Sequence, residues 1–438
     1  MREHEKIPYD SFAQQAYWGE GMRLPGQSKG LDRWFFQWQW RNTMRAEDEI
    51  DSDEPVITES GYYASYVIGA QWFDEEKTMP LVVTTKYGCD RIDFLKMFSV
   101  CFNSGIEAKE FSKIYAVDME QPRIKAPELK SVLSPLIVAH FLSIVKEIVK
   151  RGLKKDYVQR EDNLKKVKGR IAIFRNERTN IQKKRYDKVF CQYQEYSEDT
   201  VENRLIKKAL LFSQQILQVA GLSPSLLPLQ HTVHECLSAF ANVNDQIEVC
   251  EVKAIKHHKI FKEYDVAIKL AQMILHRYDY NITNITTAEE EECPVFWIDM
   301  AMLYEHYVLG LLREAYGNLI HYQVRGHTGY PDFVCYSPQV VLDTKYIPRF
   351  NQGSIDTYIV RQLSGYSRDK WIFPTQPDVH IPCVIIYPIE GKEENPFKDK
   401  PLEDFLKKDD RHLWNFHRIA VPLPMLNENQ YGKASENS

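Results

Sequence analysis

No Cys-x-x-Cys pair occurs anywhere in the chain. Its eight cysteines, at 89, 101, 191, 236, 250, 293, 335 and 383, are scattered, which excludes a paired redox motif and points to reduced thiols in the cytoplasm. There is also no cysteine cluster of the iron–sulfur kind. His231, His234, Cys236, His257 and His258 lie near one another in sequence but complete no zinc-ligand spacing, so they read as packing residues. No apolar signal core opens the sequence. The most apolar helical run, Leu133 to Val149, is interrupted by His140, Lys146 and Glu147 and is too polar to span a bilayer; no membrane partner is expected. No G-x-x-x-x-G-K-[ST] stretch is present, which leaves this chain without a P-loop and hence with no nucleotide of its own to bind. Charge of one sign is not in excess either. With 56 Lys and Arg against 61 Asp and Glu, the net charge of −5 excludes a uniformly basic DNA-coating protein while allowing local basic grooves.

What is present is a globular composition, 44% hydrophobic and 27% charged over 438 residues, too long for one ordinary core. The front holds an aromatic segment, Trp34-Phe35-Phe36-Gln37-Trp38-Gln39-Trp40-Arg41, followed by acidic residues from Glu47 to Glu54. Its alternation suits a half-buried strand; aromatics beside Arg would also suit base stacking, but the acidic run would repel phosphates. Short β-like runs follow at Tyr62 to Val67, Leu81 to Tyr87 and Ile92 to Phe94, with helices at Lys96 to Phe102 and Leu133 to Arg151, the latter closed by Gly152. Residues 1–152 therefore read as a mixed α/β domain.

Residues 153–290 read as a basic linker and a helical middle module. Arg151 to Lys168 is polar and basic, and Lys165 to Lys188 is crowded with Lys and Arg. Such a run is either a solvated face or a track for a phosphate backbone, and Lys168, Arg170 and Arg178 are its candidate DNA-binding residues. Thr200 is placed to cap a long helix, with Asn203 at the capping-box position, and helical pattern continues to about residue 276.

Residues 291–438 form the most coherent stretch: a helix from Phe296 to Tyr316, a strand from Leu319 to Val324, a hairpin, a helix from Ile355 to Asp369 and a strand from Ile381 to Tyr387. In the hairpin, Phe333 to Tyr336 and Val340-Val341-Leu342 are apolar and Ser337-Pro338 makes the turn. Alternate strand residues share a face, so Asp343 and Lys345 point the same way, near Asp332 at the head of the first strand. Charges at the end of a core strand are normally paired or bind a metal. A structural Asp–Lys pair would account for them, but two carboxylates and an ammonium also suit a divalent cation and an attacking water, and the arrangement resembles the PD-(D/E)xK nuclease motif. The order αβββαβ is the core order of those nucleases.

The resemblance extends further. Lys168-Gly169-Arg170-Ile171, Arg178-Thr179-Asn180, Tyr193 to Thr200, Asn203 to Leu210, Met302 to Val308, Pro331-Asp332 and Asp343-Thr344-Lys345 are together similar to the McrC family, the nuclease subunit of McrBC-type systems that restrict 5-methylcytosine DNA. The resemblance covers roughly residues 165 to 370. It implies a multidomain α/β chain ending in a PD-(D/E)xK restriction-endonuclease-like domain, and a Mg2+-dependent DNA endonuclease acting in phage defence. Asp332 and Asp343 would ligate Mg2+, or Mn2+ in its place, with the Thr344 backbone carbonyl a further ligand. Lys345 would orient or deprotonate the water and offset charge on the phosphorane. Glu305 could add a carboxylate through a water, and Gln362 and Tyr366, as Q-x-x-x-Y on one helical face, could contact DNA or brace Lys345. The implied partners are an McrB-like AAA+ GTPase oligomer, whose hydrolysis the N-terminal domain would stimulate, and double-stranded modified DNA; Trp34 to Trp40 would buttress the docking surface. Two other classes remain: a catalytically silent activator of an AAA+ ring, and a stand-alone repair nuclease of the Cas4/RecB kind.

Overall fold

The computed structural model describes residues 6–8, 40–44, 56–63, 66–72, 77–78, 80–87, 91–103, 113–118, 121–126, 129–219, 227–247, 262–283, 292–347, 355–375, 380–391 and 395–425. Trp34 to Gln39, His257 and His258 lie outside the described residues. Packing divides the chain into two units: residues 1–136 with 286–438, and residues 137–285. The borders thus fall at 136/137 and 285/286, and the front and back of the chain, read from sequence as separate domains 1–152 and 291–438, share one unit.

That first unit holds β1 (Lys6–Pro8), β2 (Trp40–Met44) and β3 (Val56–Tyr63), a three-stranded sheet in the order β1-β3-β2. Next come β4 (Val67–Trp72), β5 (Pro80–Val83), helix α1 (Phe94–Asn103), β6 (Tyr115–Asp118) and β7 (Ile124–Lys125). The expected strand at Ile92 to Phe94 is reduced to a single bridge from Ile92 to Met425, and α1 begins at Phe94 instead. Asp93 is the reason: its Oδ1 accepts the Lys96 N–H at 3.1 Å and starts the helix.

The second unit contains most of helix α2 (Lys130–Arg151), then β8 (Asp156–Leu164), β9 (Arg170–Ile171), β10 (Val189–Ser197) and helices α3 (Val201–Val219), α4 (Leu227–Ala239) and α5 (Lys262–Thr283). The stretch read from sequence as a basic linker is therefore in part a sheet, ordered β8-β10-β9. No residue of β8 is buried, so its strand carries no apolar alternation to announce it. The α3 start is as expected: the Thr200 hydroxyl accepts the Asn203 N–H at 3.3 Å. The Asn203 side chain does not complete a capping box. Its Nδ2 donates to the carbonyls of Glu198 and Lys154 (2.7 and 2.9 Å) and its Oδ1 accepts the Tyr264 hydroxyl at 2.9 Å, tying α3 to α5. Asp199, 4% exposed, accepts from Arg204 Nε and Nη2 and from the Asn244 N–H.

Back in the first unit are β11 (Glu292–Cys293), β12 (Val295–Asp299), helix α6 (Met300–Tyr316), β13 (Ile320–Tyr322), β14 (Phe333–Tyr336), β15 (Gln339–Thr344), helix α7 (Thr357–Tyr366), β16 (Cys383–Glu390) and β17 (Phe416–Leu423). The helix expected from Phe296 starts only at Met300, because Asp299 caps it by accepting the Met302 N–H at 3.0 Å. The preceding Val295 to Asp299 becomes a strand between β4 and β6 in the sheet β5-β4-β12-β6. Gly69 permits that pairing; a Cβ there would lie 2.0 Å from the Phe296 carbonyl oxygen. The second large sheet runs β13-β14-β15-β16-β17, antiparallel as far as β15 and parallel beyond it. Strand β17 was not foreseen from the sequence. Helix α7 covers one face of this sheet, packing Ile359, Leu363 and Tyr366 with Val334, Val341, Cys383 and Ile385.

Candidate active site

Strand β15 is buried from Val340 to Thr344, so its two apolar faces hold it inside the sheet between β14 and β16. Val341 lies in the core beneath α7, and Asp343, two residues on, turns to that same face. Beyond Thr344 the chain stays paired, since the Lys345 N–H donates to the Ile386 carbonyl at 2.8 Å. Asp343 is 1% exposed and forms an ion pair with the Lys345 ammonium.

Asp332 stands just before β14, and β14 pairs with β15. That register brings its carboxylate to Thr344: Oδ2 accepts the Thr344 N–H at 2.7 Å and the Thr344 hydroxyl at 2.5 Å. Glu305 reaches the same place from α6. Its Oε1 accepts from Gln323 Nε2 at 3.1 Å, and Gln323 sits at φ 46°, held by its N–H on the Asp332 carbonyl. Tyr366 arrives from α7, its hydroxyl accepting from Gln362 Nε2 at 3.0 Å.

Electrostatics bind these groups together. Burial, then the charges of Asp343 and Glu305, push the Asp332 carboxyl well above the usual carboxylate range. Burial likewise raises Asp343, against the opposing pull of Lys345. Glu305 is raised by burial and by Asp343, against hydrogen bonds from Tyr322 and Gln323. For Lys345, burial acts to lower the ammonium, but Asp343 and Asp332 outweigh it and hold it above the usual lysine value. Three carboxyl groups and one ammonium thus meet at the end of one strand, too buried and too close for all three acids to ionise against Lys345 alone. Among the described residues no trio of His, Cys, Asp or Glu already stands in metal-holding geometry. The donors available are hard carboxyl oxygens, which a bound cation would hold ionised, the chemistry that suits Mg2+ or Mn2+ rather than a thiolate or imidazole metal.

The structure therefore brings Asp332, Asp343, Lys345, Glu305, Gln362 and Tyr366 into one neighbourhood. Thr344 is also there, but through its N–H and hydroxyl toward Asp332 rather than through its carbonyl. Sequence reasoning missed that clamp, the Gln323 support of Glu305, and Gly329, where a Cβ would lie 3.1 Å from Tyr366 Oη. Only the Gly-Tyr-Pro start of the hairpin hinted at the last.

Lys168, Arg170 and Arg178 lie in the second unit, on the edge of the β8-β10-β9 sheet and the helical turns that follow. Lys168 stands 3.8 Å from the centre of the Tyr193 ring and pairs with Glu195 at 3.5 Å, while Arg170 and Arg178 are exposed. His231, His234 and Cys236 fall on α4, where burial pushes the Cys236 thiol up to about 12. All six described cysteines are free and buried, and among the described residues no helix is long and apolar enough to cross a membrane.

A family model described as McrBC 5-methylcytosine restriction system component matches residues 111–366, more than half of the chain. No curated protein matches it in sequence. Among solved structures the chain is similar to one from Thermococcus gammatolerans described as a half-complex of McrB AAA+ hexamers with bound McrC, at 15% identity over 100% of this chain and 99% of that one, with a TM-score of 0.33. It is also similar to the Thermococcus gammatolerans McrBC complex, at 15% identity over 78% of this chain and 90% of that one, with a TM-score of 0.30.

Proposed function

This chain belongs to the McrBC 5-methylcytosine restriction system component family, and we propose that it is the DNA-cutting subunit, a PD-(D/E)xK-type endonuclease. The observation that carries the reading is the convergence of Asp332, Asp343, Glu305 and Lys345 at the end of β15, on a chain matched by a restriction-system model. Asp332 and Asp343 are the residues that would hold Mg2+ or Mn2+. Such an ion supplies charge neutralisation at the scissile phosphate and a nucleophile at neutral pH. Thr344 fixes the orientation of Asp332 through two hydrogen bonds. Lys345, held protonated between the two aspartates, offers its ammonium to the charge that grows on the phosphate oxygens. Glu305 supplies a further carboxylate from α6, and the Gln362–Tyr366 pair braces the face over Lys345.

The missing P-loop supports a division of labour in which an McrB-like AAA+ GTPase supplies the motor and this chain stimulates it. The DNA taken would be double-stranded and modified, and a cytoplasmic location follows from that substrate. Residues 156–197, with eleven Lys and Arg against six Asp and Glu, support a second, sequence-independent hold on phosphates through the exposed Lys168, Arg170 and Arg178.

Asp343→Ala and Lys345→Ala test the reading. In the presence of the AAA+ partner and Mg2+, each is expected to lower cleavage of methylated duplex by at least about a hundredfold, the scale of losing one preorganised charge group, while GTP hydrolysis by the partner stays stimulated. Undiminished cleavage by both variants would sink the nuclease assignment and leave the silent-activator reading in its place.

A further inference from the structure

We propose that the loop over residues 325–330 and the turn over residues 368–371 form a DNA-holding rim beside the carboxylate site, gripping the sugar–phosphate backbone next to the bond to be cut. The proposal rests on the nuclease reading and adds where this chain holds its substrate.

Two anchors make the rim rigid. Asp369, 5% exposed, uses both carboxylate oxygens: Oδ2 accepts the Thr328 N–H at 2.7 Å and hydroxyl at 2.9 Å, and Oδ1 accepts the Trp371 N–H at 2.9 Å. Burial acts to raise this carboxyl, but backbone and hydroxyl donors from Thr328, Trp371 and His327 outweigh it and hold it low. The acid is therefore ionised, buried and fully engaged by donors, and it presents no carboxylate face to a phosphate. The second anchor is Tyr366. Gly329, at φ +136°, lets the loop lie against its ring, where a Cβ would come within 3.1 Å of Cε1 and Oη. Gly326 closes the turn by donating its N–H to the Gly329 carbonyl at 2.8 Å.

Tyr366 also sets the location. Its hydroxyl feels the charges of Asp343, Lys345 and Asp332, so one side chain separates the rim from the candidate catalytic groups. On this frame the protein displays Trp371, 59% exposed, with the His327 ring edge-on at 5.5 Å and the Arg325 guanidinium 5.9 Å from the ring centre. Arg368 and Lys370 are exposed on either side of the buried Asp369, and Tyr330, 56% exposed, stands two residues before Asp332. Three cations around rigid exposed aromatics, with the intervening acid turned inward, are complementary to a polyanion. Stacked bases of an intact duplex are out of reach of a flat exposed indole, so Trp371 packs on deoxyribose while Arg325, Arg368 and Lys370 take flanking phosphates.

The test is fluorescence anisotropy of a labelled duplex with the full chain, with Ca2+ replacing Mg2+ so that the duplex stays intact. Trp371→Ala is expected to weaken binding about threefold to fivefold, at or below the low end of the loss seen when an aromatic that stacks on a base is removed, because this ring packs on sugar, and Trp371→Phe to restore most of it. The double variant Arg325→Gln with Lys370→Gln is expected to reduce the slope of log K against log salt by about 1.8, close to 0.9 for each phosphate left without its cation. Both charges are exposed, so this variant decides the matter alone if Trp371→Ala melts early. Wild-type affinity and salt slope in the double variant would overturn the rim, as would a loss confined to association with the AAA+ partner. The two readings fail separately. Weakened binding by rim variants in a chain that never cuts leaves the rim standing without the nuclease, and Asp343-dependent cutting with unchanged rim-variant binding does the reverse.

Discussion

Thr344 is the residue on which the geometry of the candidate site turns. It lies between Asp343 and Lys345, and its hydroxyl and N–H both reach Asp332 Oδ2. With a cation bound and Asp332 ionised, a hydrogen bond to that charged group contributes about 1.5–3 kcal/mol. Thr344→Val removes the hydroxyl while keeping the shape and the N–H, and is expected to lower single-turnover cleavage by roughly ten- to a hundredfold on that scale; Thr344→Ser should recover most of it. Equal rates for Thr344→Val and the wild type would show that the hydroxyl does not orient Asp332. That Asp343 and Lys345 share a face was legible from a period of two at the end of an apolar run, and they form an ion pair. The contact of Thr344 with Asp332 was not, because a threonine in a strand is ordinary and its partner stands twelve residues away, just before β14.

At the scale of elements, the apolar hairpin was readable, whereas the apolar runs that became β12 and β17 were taken for helix or missed, and polar pattern was not readable at all. Strand β15, buried from Val340 onward, announced itself; β8, with no buried residue, passed for a linker. Caps moved boundaries by a few residues, as Asp93 and Asp299 did for α1 and α6. Helix packing was hidden altogether. Gly310, in the middle of α6, meets α1 so closely that a Cβ would lie 2.4 Å from the Val100 carbonyl oxygen. Alanine is the better helix former by about 1 kcal/mol, yet Gly310→Ala should destabilise the first unit by about 1–3 kcal/mol, because backbone cannot yield as a side chain can. Urea unfolding measures it, and a midpoint at or above that of the wild type would show that the two helices have room to part.

For the whole molecule, the first unit is discontinuous in sequence. Its four-stranded sheet places β12 between β4 and β6, so the residues after 291 lack two strand partners when separated from the first third of the chain. A fragment of residues 291–438 is expected to show no cooperative thermal transition and to aggregate through the exposed strand, whereas the full chain melts cooperatively. A dispersed amide spectrum and a sharp transition from the fragment would refute that dependence. It also bears on function, since whatever engages the front of the chain acts on the same packed unit that carries Asp332, Asp343 and Lys345.

By itself the sequence determined the local facts: the hairpin that carries Asp332 and Asp343, that Asp343 and Lys345 share a face, that Thr200 caps α3, and that no P-loop is present. These depend on neighbours a few residues apart, whose spacing is written in the chain. Only the tertiary structure decided that Glu305 and Tyr366 join the two aspartates, that Thr344 clamps Asp332, and that β12 inserts between strands from the front of the chain. Those pairings join residues far apart in sequence, and no local periodicity records which distant surfaces will bury one another.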